Sequence, residues 1–421
     1  MSLKATKIAV LKIAEHYRVE KSLWGLVIYV LRYVARRGPQ AARRRLEARR
    51  SIAKLARQQI VAEGTINIGV MTTGAIGDQI IAARFLRDLV AYCDDKLSFD
   101  IYAPKVSSSE WVFCNVPNVS GIFQDAAFSR TPRKYDMVWE VTSNLKVLSV
   151  ASQFRASGAT ALFNIQKKIE RFFNENSNLS DNRIAQEFVY IHNRTRPTSL
   201  HFIAGIDYGG DRFDIPWDVN IVERLGLIPQ SFITIHNGFD TTEVIQRGGS
   251  TKTYPYFADV IKIMRRTVPE IKFVQLGAAT SVPIEGVDLN LISKTNLSEA
   301  AGLIRDAAIH IDNESGLVHM ASCFGTRACV VYGPTNPDFF HYPGNGQVRP
   351  VNCGGCWWIT KDWLSRCPRG MEEPICMHSQ PPRNVAETAL GLLRGGSPNS
   401  DRLIGVGLSE YGQSVADQER R

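Results

Sequence analysis

The sequence predicts a doubly wound α/β protein, with two Rossmann-like units facing a cleft and a basic helical arm ahead of them. Three observations carry this reading. Short apolar runs alternate with amphipathic segments from about residue 66 to residue 395. The alternation restarts with the same grammar near residue 231. A chain of 421 residues also exceeds one ordinary core and suits two. The expected divisions are an arm over 1–64, a first unit over 65–215, a second over 216–395 and a polar, disordered tail over 396–421.

The arm comes first. Residues 1–64 hold 15 Lys and Arg against 4 Asp and Glu, so they carry +11 of a net charge of +9 and leave the body at −2. The uncharged stretch 22–31 is half of what a bilayer span requires, and no small-residue cleavage site follows it. Trp24, Tyr29 and Tyr33 beside Arg32, Arg36, Arg37, Arg43, Arg44 and Arg45 suit a helix lying on an anionic membrane surface. The alternative is a solvated helix packed on the body or on another subunit. Nucleic-acid motifs and stacking platforms are missing, which argues against a nucleic-acid partner. The expected location is cytoplasmic, peripheral at the inner face of the cytoplasmic membrane.

In the first unit, 66–72 reads as a buried strand, 73–78 as a turn and 79–93 as an amphipathic helix, with further strands at 97–103 and 135–141. A mixed polar stretch follows, with 174–183 as a surface loop. The second unit offers strands at 231–238, 271–277, 308–312 and 327–335. Helices are expected at 254–267, 297–307, 316–325 and 383–395.

Chemistry gathers at the strand ends. In "TTGAIGD", Gly74 and Gly77 allow close backbone approach, and Asp78 sits as a helix cap or a catalytic carboxylate. The pattern is not that of a dinucleotide fingerprint. The run Gly248-Gly249-Ser250-Thr251-Lys252 offers amides, hydroxyls and one cation before a helix, suited to a diphosphate or to a flexible loop. In "HIDNESGLVHMA", a helix starting near Ser315 leaves its first N–H groups unpaired, and Gly316 permits close approach. His319 lies four residues on, on the same face as Ser315, so this stretch is an anion cradle or a cap with a core histidine. Lastly, Cys353, Cys356, Cys367 and Cys376 have the spacing C-x2-C-x10-C-x8-C. Four thiolates of this kind fit a closed structural zinc or mononuclear iron site; disulfides or free thiols are the alternatives.

Taken in order, these stretches resemble glycosyltransferase family 9, the ADP-heptose:lipopolysaccharide heptosyltransferases. The carriers are the turn Gly74-Ala-Ile-Gly77-Asp78, the strand end His236-Asn-Gly238 leading to Lys252, the box "ESGLVHMASCFGTRACVVYGPTNP" and the series "CGGC…RCPRG…ICM". The resemblance implies the GT-B fold and inverting transfer with no catalytic cofactor. It implies a nucleotide-diphosphate sugar donor, ADP-heptose first, and a lipopolysaccharide-type or other glycan, lipid-linked or protein acceptor. Asp78 would be the general base. Gly74, Gly77, His236, Lys252, Glu314, Ser315, Gly316 and His319 would surround the donor. Glu314 stands where the family's box has Asp. Competing expectations are a sugar-nucleotide epimerase of similar architecture and an inactive membrane-associated binding protein.

Overall fold

The computed structural model describes residues 46–48, 50–51, 64–93, 96–130, 135–152, 154, 161–239, 250–279 and 281–395. Most of the basic arm, Gly248, Gly249 and the tail lie outside them. In the first unit, β1 (Ile66–Thr72) is followed by α1 (Ile76–Tyr92), β2 (Leu97–Ala103), α2 (Val106–Phe113), β3 (Val119–Gln124), β4 (Met137–Val141) and β5 (Leu145–Val150). The sheet order is β3-β2-β1-β4-β5, parallel except for β4 against β5. Helices α3 (Ala161–Glu175), α4 (Asp181–Tyr190) and α5 (Arg196–Ala204) come next. They replace the mixed polar stretch expected there, and the surface loop shrinks to 176–180.

The second unit runs α6 (Ile221–Arg224), β6 (Phe232–His236), α7 (Phe257–Arg265), β7 (Lys272–Gln275), β8 (Leu289–Asn290) and α8 (Leu297–Asp306). Then come β9 (Ile309–Asn313), α9 (Gly316–Phe324), β10 (Ala328–Val331), α10 (Pro337–Phe340), β11 (Gly346–Val348), α11 (Ile375–His378) and α12 (Pro382–Arg394). Its sheet, β11-β10-β9-β6-β7-β8, is parallel throughout. A strand buried on both faces alternates which core it serves. Ile233 and Ile235 of β6, with Ile309 and Ile311 of β9, face the core under α7 and α12. The pleat therefore turns Thr234, His236, His310 and Asp312 to the opposite face, and the register sets Thr234 against His310 and His236 against Asp312. A row of polar side chains is thus built into the interior.

The units do not stand apart across the whole cleft. One apolar core runs without a break from Ile68 and Val70, through Ile80, Phe85 and Leu89 of α1, to Val318 and Met320 of α9. Where the two helices cross, Arg84 is fully buried. It donates to Tyr342 Oη (3.0 Å), Ser322 Oγ (2.9 Å) and Cys323 Sγ (3.3 Å). Both Nη groups are met while Nε is buried without a partner; since a buried guanidinium is costly unless bonded, these contacts help fix how the two units seat on each other. Phe188 of α4 also stacks on Phe339 of α10, with ring centroids 6.0 Å apart. Within the arm, Ala48 and Ser51 are buried, and Ser51 Oγ accepts a hydrogen bond from the Gln124 amide at the end of β3 (3.0 Å). That piece of the arm packs on the body. No helix among the described residues is long and apolar enough to cross a membrane.

Removing the Arg84 donors leaves three buried acceptors facing each other. Arg84→Ala is expected to lower stability in urea denaturation by about 3 kcal/mol, and Tyr342→Phe by about 1 kcal/mol.

Candidate active site

Two helix starts meet at the seam. α1 begins at Ile76 with Ala75 as its N-cap, so Asp78 lies inside the first turn rather than at the cap position. Its carboxylate accepts a hydrogen bond from Arg196 Nη2 at 2.8 Å. Arg196 is buried at the start of α5 and also donates to the Thr142 carbonyl (2.9 Å) and Ser199 Oγ (3.3 Å). Asp78 itself keeps 39% of its side chain exposed, so it is held yet reachable. Gly74 has φ +98°, and a β-carbon there would lie 2.5 Å from Asp78 Oδ2. The first glycine of the turn therefore makes room for the carboxylate.

Gly77 does the corresponding work for the other unit. A β-carbon on it would collide with the imidazole ring of His319, and one on Gly316 would lie 3.4 Å from the Gly77 nitrogen. The close meeting of the two helix starts depends on Gly77 lacking a side chain, whereas a β-carbon on Gly316 would make only ordinary van der Waals contact. Ser315 caps α9, its hydroxyl accepting from the Leu317 amide at 3.1 Å. The capping reading and close backbone approach thus coexist at this junction.

Behind the cap lies Asp312, fully buried. It pairs with His236 Nδ1 (2.8 Å) and His310 Nε2 (3.2 Å), and the Ser315 hydroxyl donates to it (2.5 Å). Burial pushes the Asp312 carboxyl upward, but the two imidazoles outweigh it and hold the group below the usual carboxylate range. His236 Nε2 accepts from the Gly238 amide at 3.2 Å, which leaves Nδ1 as the protonated nitrogen facing Asp312. Both nitrogens of His236 are engaged, so it sits behind the cradle as a support rather than open to a ligand.

Lys252 Nζ lies 2.5 Å from Glu314 Oε2, and Glu314 Oε1 lies 3.8 Å from His319 Nε2. His319 Nδ1 bonds the Tyr342 hydroxyl at 2.6 Å. Burial first, then the positive charges of Arg84, Arg196 and Lys252, hold the His319 imidazole well below its ordinary range. It is neutral, with three cations close to it. Lys252 owes its place to the cysteine loop. Thr251 donates to the carbonyls of Leu364 (amide, 3.0 Å) and Trp363 (hydroxyl, 2.8 Å), while Ser250 Oγ donates to Leu364 O at 3.1 Å.

The four cysteines line one cavity of about 320 Å³ together with Thr251, Pro334 and Arg369. They are free thiols. Burial, then the neighbouring cysteines, pushes Cys356 up to about 11 and Cys376 up to about 12. No group of three or more His, Cys, Asp or Glu side chains among the described residues is gathered tightly enough to hold a metal ion. The thiols share a chamber without forming a ready-made site.

Residues 246–353 match the family model described as Glycosyltransferase family 9 (heptosyltransferase). A stretch of 51 residues is 41% identical to Lipooligosaccharide heptosyltransferase 2 of Haemophilus influenzae. Over these stretches the chain is similar to glycosyltransferase family 9. That stretch is 12% of this chain and spans only 15% of the Haemophilus protein. Among solved structures, the chain is similar to the dodecameric iron-containing heptosyltransferase TibC in complex with ADP-D-beta-D-heptose. There the TM-score is 0.52 and the identity 14%, over 80% of this chain and 78% of that one. The iron-containing dodecameric glycosyltransferase TibC from enterotoxigenic E. coli H10407 gives a TM-score of 0.50 at 13% identity, over 80% and 78% of the two chains. The likeness is one of fold, two α/β units in the GT-B arrangement.

The structure brings Gly74, Gly77, Asp78, Lys252, Glu314, Ser315, Gly316 and His319 to one seam. Arg196, Asp312, Arg84 and Tyr342 join them and were not singled out from sequence. Arg84 and Asp88 had a readable signal, since they continue the i, i+4 row of Ile80 on the buried face of α1. Arg196 stands beside Pro197 after Thr195, a helix-start pattern inside a stretch read as mixed polar.

Because His319 is neutral when folded and protonates near pH 6.5 when unfolded, the unfolded chain binds the extra proton as pH falls. Stability contributed by this group is complete above about pH 6.5 and declines below it, by up to about 1.4 kcal/mol per pH unit. Denaturation at pH 7.5 and pH 5.5 is expected to show a smaller acid loss in His319→Gln than in the native protein.

Proposed function

We propose that the protein is an inverting glycosyltransferase that moves a heptose from ADP-heptose to a hydroxyl of a lipopolysaccharide-type or other glycan, lipid-linked or protein acceptor. One observation carries the reading. A half-exposed carboxylate in the first turn of α1 and a capped, glycine-opened helix start on α9 meet at one point, ringed by Lys252, Arg196 and Arg84. The donor diphosphate would lie against the first amides of α9, with Lys252 turning from Glu314 to the phosphates. Helix amides and cations placed there stabilise the charge that grows on the leaving diphosphate. Asp78 would take the proton of the acceptor hydroxyl. The new bond forms at the anomeric carbon as the bond to the donor phosphate oxygen breaks on the opposite face. Arg196 is a positioning residue, since its buried guanidinium aims the Asp78 carboxylate from behind. TibC, in complex with ADP-D-beta-D-heptose, is the relative in favour of that donor.

A structural iron or zinc ion at the four cysteines would have to draw them closer together than they stand. TibC is described as iron-containing, and Cys353, Cys356, Cys367 and Cys376 share one small cavity beside the segment that holds Lys252. A closed ion there would staple the loop and so fix the lysine; it would take no part in transfer. The charge of +11 on residues 1–64 supports a further role at an anionic membrane surface.

With ADP-heptose as donor, Asp78→Asn is expected to keep donor affinity within about twofold and to lower kcat by about 10²–10⁴. Lys252→Ala is expected to weaken donor binding about tenfold or more, measured by calorimetry. Transfer that survives Asp78→Asn unchanged contradicts the assignment of the base. Elemental analysis of purified protein is expected to find one iron or zinc per chain, lost in Cys353→Ser/Cys356→Ser; a stable, metal-free preparation contradicts the staple.

A further inference from the structure

A second basic cavity lies away from the seam. It is an open groove of about 620 Å³ between the segment joining α5 to α6 and the far end of α9. Its walls include Arg87 of α1, Arg212 and Trp217 of the joining segment, and Arg305 and Arg327 of the second unit. Parts of both units and the connection between them therefore face one space.

The charges in this groove are only partly matched. Arg87 pairs with Asp88 (2.7 Å) and Arg305 with Asp306 (2.7 Å). Arg305 also lies 3.8 Å over the Trp217 ring, which holds the guanidinium flat against the wall. Arg212 and Arg327 have a different kind of partner. Arg212 donates to the Phe324 carbonyl, and Arg327 donates to those of Leu392 (2.7 Å) and Gly395 (3.2 Å). A carbonyl satisfies an N–H but leaves the positive charge in place. Asp214, the remaining acidic group of the lining, accepts from Asn115 and offsets one of these two charges. The carbonyls ending α9 would repel an anion, and Arg212 covers one of them. The groove is thus left positive, with guanidinium donors on three sides.

We propose that this groove is a second anion site, which binds a ligand bearing a phosphate group and is separate from the donor cradle. The two sites lie at opposite ends of α9, a nine-residue helix, and so about 13 Å apart along its axis. A phosphate seated between Arg212 and Arg327 would bridge the joining segment to the second unit. The ligand is defined by its phosphate, whether free in solution or carried on a saccharide. The site does not depend on the reading of the donor.

The test is calorimetric titration of inorganic phosphate and, separately, glucose 6-phosphate into the full chain. Three variants accompany it: Lys252→Ala, Arg212→Gln/Arg327→Gln and Thr326→Glu. Thr326→Glu places a carboxylate in the groove without removing an arginine, so it decides the matter even if the double variant fails to fold. Binding is expected to survive Lys252→Ala within about twofold and to weaken at least tenfold, about 1.4 kcal/mol, in Thr326→Glu and in the folded double variant. Binding of both probes marks a site for the bare anion, and binding of glucose 6-phosphate alone marks a phosphosaccharide site. The proposal is overturned if neither probe binds Lys252→Ala protein, or if Thr326→Glu binds as the native protein does.

Discussion

The structure turns on a contact between two positive helix ends. α1 and α9 start within van der Waals reach of each other, with Gly77 facing His319 and Gly316 facing Gly77. The aligned peptide dipoles place positive charge on both starts, although Ser315 already takes up the Leu317 and Val318 amides of α9. Bringing like poles together costs energy. Asp78 in the first turn of α1 and Glu314 just before α9 offset part of that cost, and both are themselves paired with cations. What is left is a junction where Arg84, Arg196 and Lys252 stand among Asp78, Asp312 and Glu314. Burial first, and then these three cations, keep the His319 imidazole neutral.

The rest of the second unit holds this point still. The parallel register of β6 and β9 lines up His236 with Asp312 and Thr234 with His310 on one face. The buried Asp312 carboxylate then ties two imidazoles and the Ser315 hydroxyl into one network. A fully satisfied buried network rigidifies what it touches, and here it touches the residue that caps α9. From the other side, the cysteine loop holds the Ser250–Thr251 backbone, and Asn182 of α4 donates to the loop carbonyls of Gly355 (3.0 Å) and Trp357 (2.6 Å). The loop therefore links Lys252 to the first unit as well as to its own.

Much of this could be read from sequence where local chemistry and tertiary structure agree. The strand before Gly74, the capped helix at Ser315 and the lysine before α7 each follow from periodicity and capping rules. The elements missed were those whose order comes from partners. β3 contains Gly121 and pairs with a register shift at Phe99 and Asp100, while β5 is an edge strand with mixed exposure. α3 and α4 carry many polar residues because each buries only a narrow face, whereas α5 is buried over most of its length with Arg196, Ser199 and His201 inside. The site residues missed share one trait. Arg84, Arg196 and Asp312 are charged and buried, and each becomes meaningful only through partners between 2 and 258 positions away. His236 was placed correctly at its strand end, but the register gives it a supporting place that the sequence could not show.

The central claim is that the meeting of these two helix starts is where a diphosphate is held. The most direct measurement is an experimental structure of the complex with ADP. The account requires the β-phosphate against the amides that open α9, with Lys252 released from Glu314 and turned onto the phosphate. ADP bound elsewhere, or bound with the Lys252–Glu314 pair intact, would contradict it.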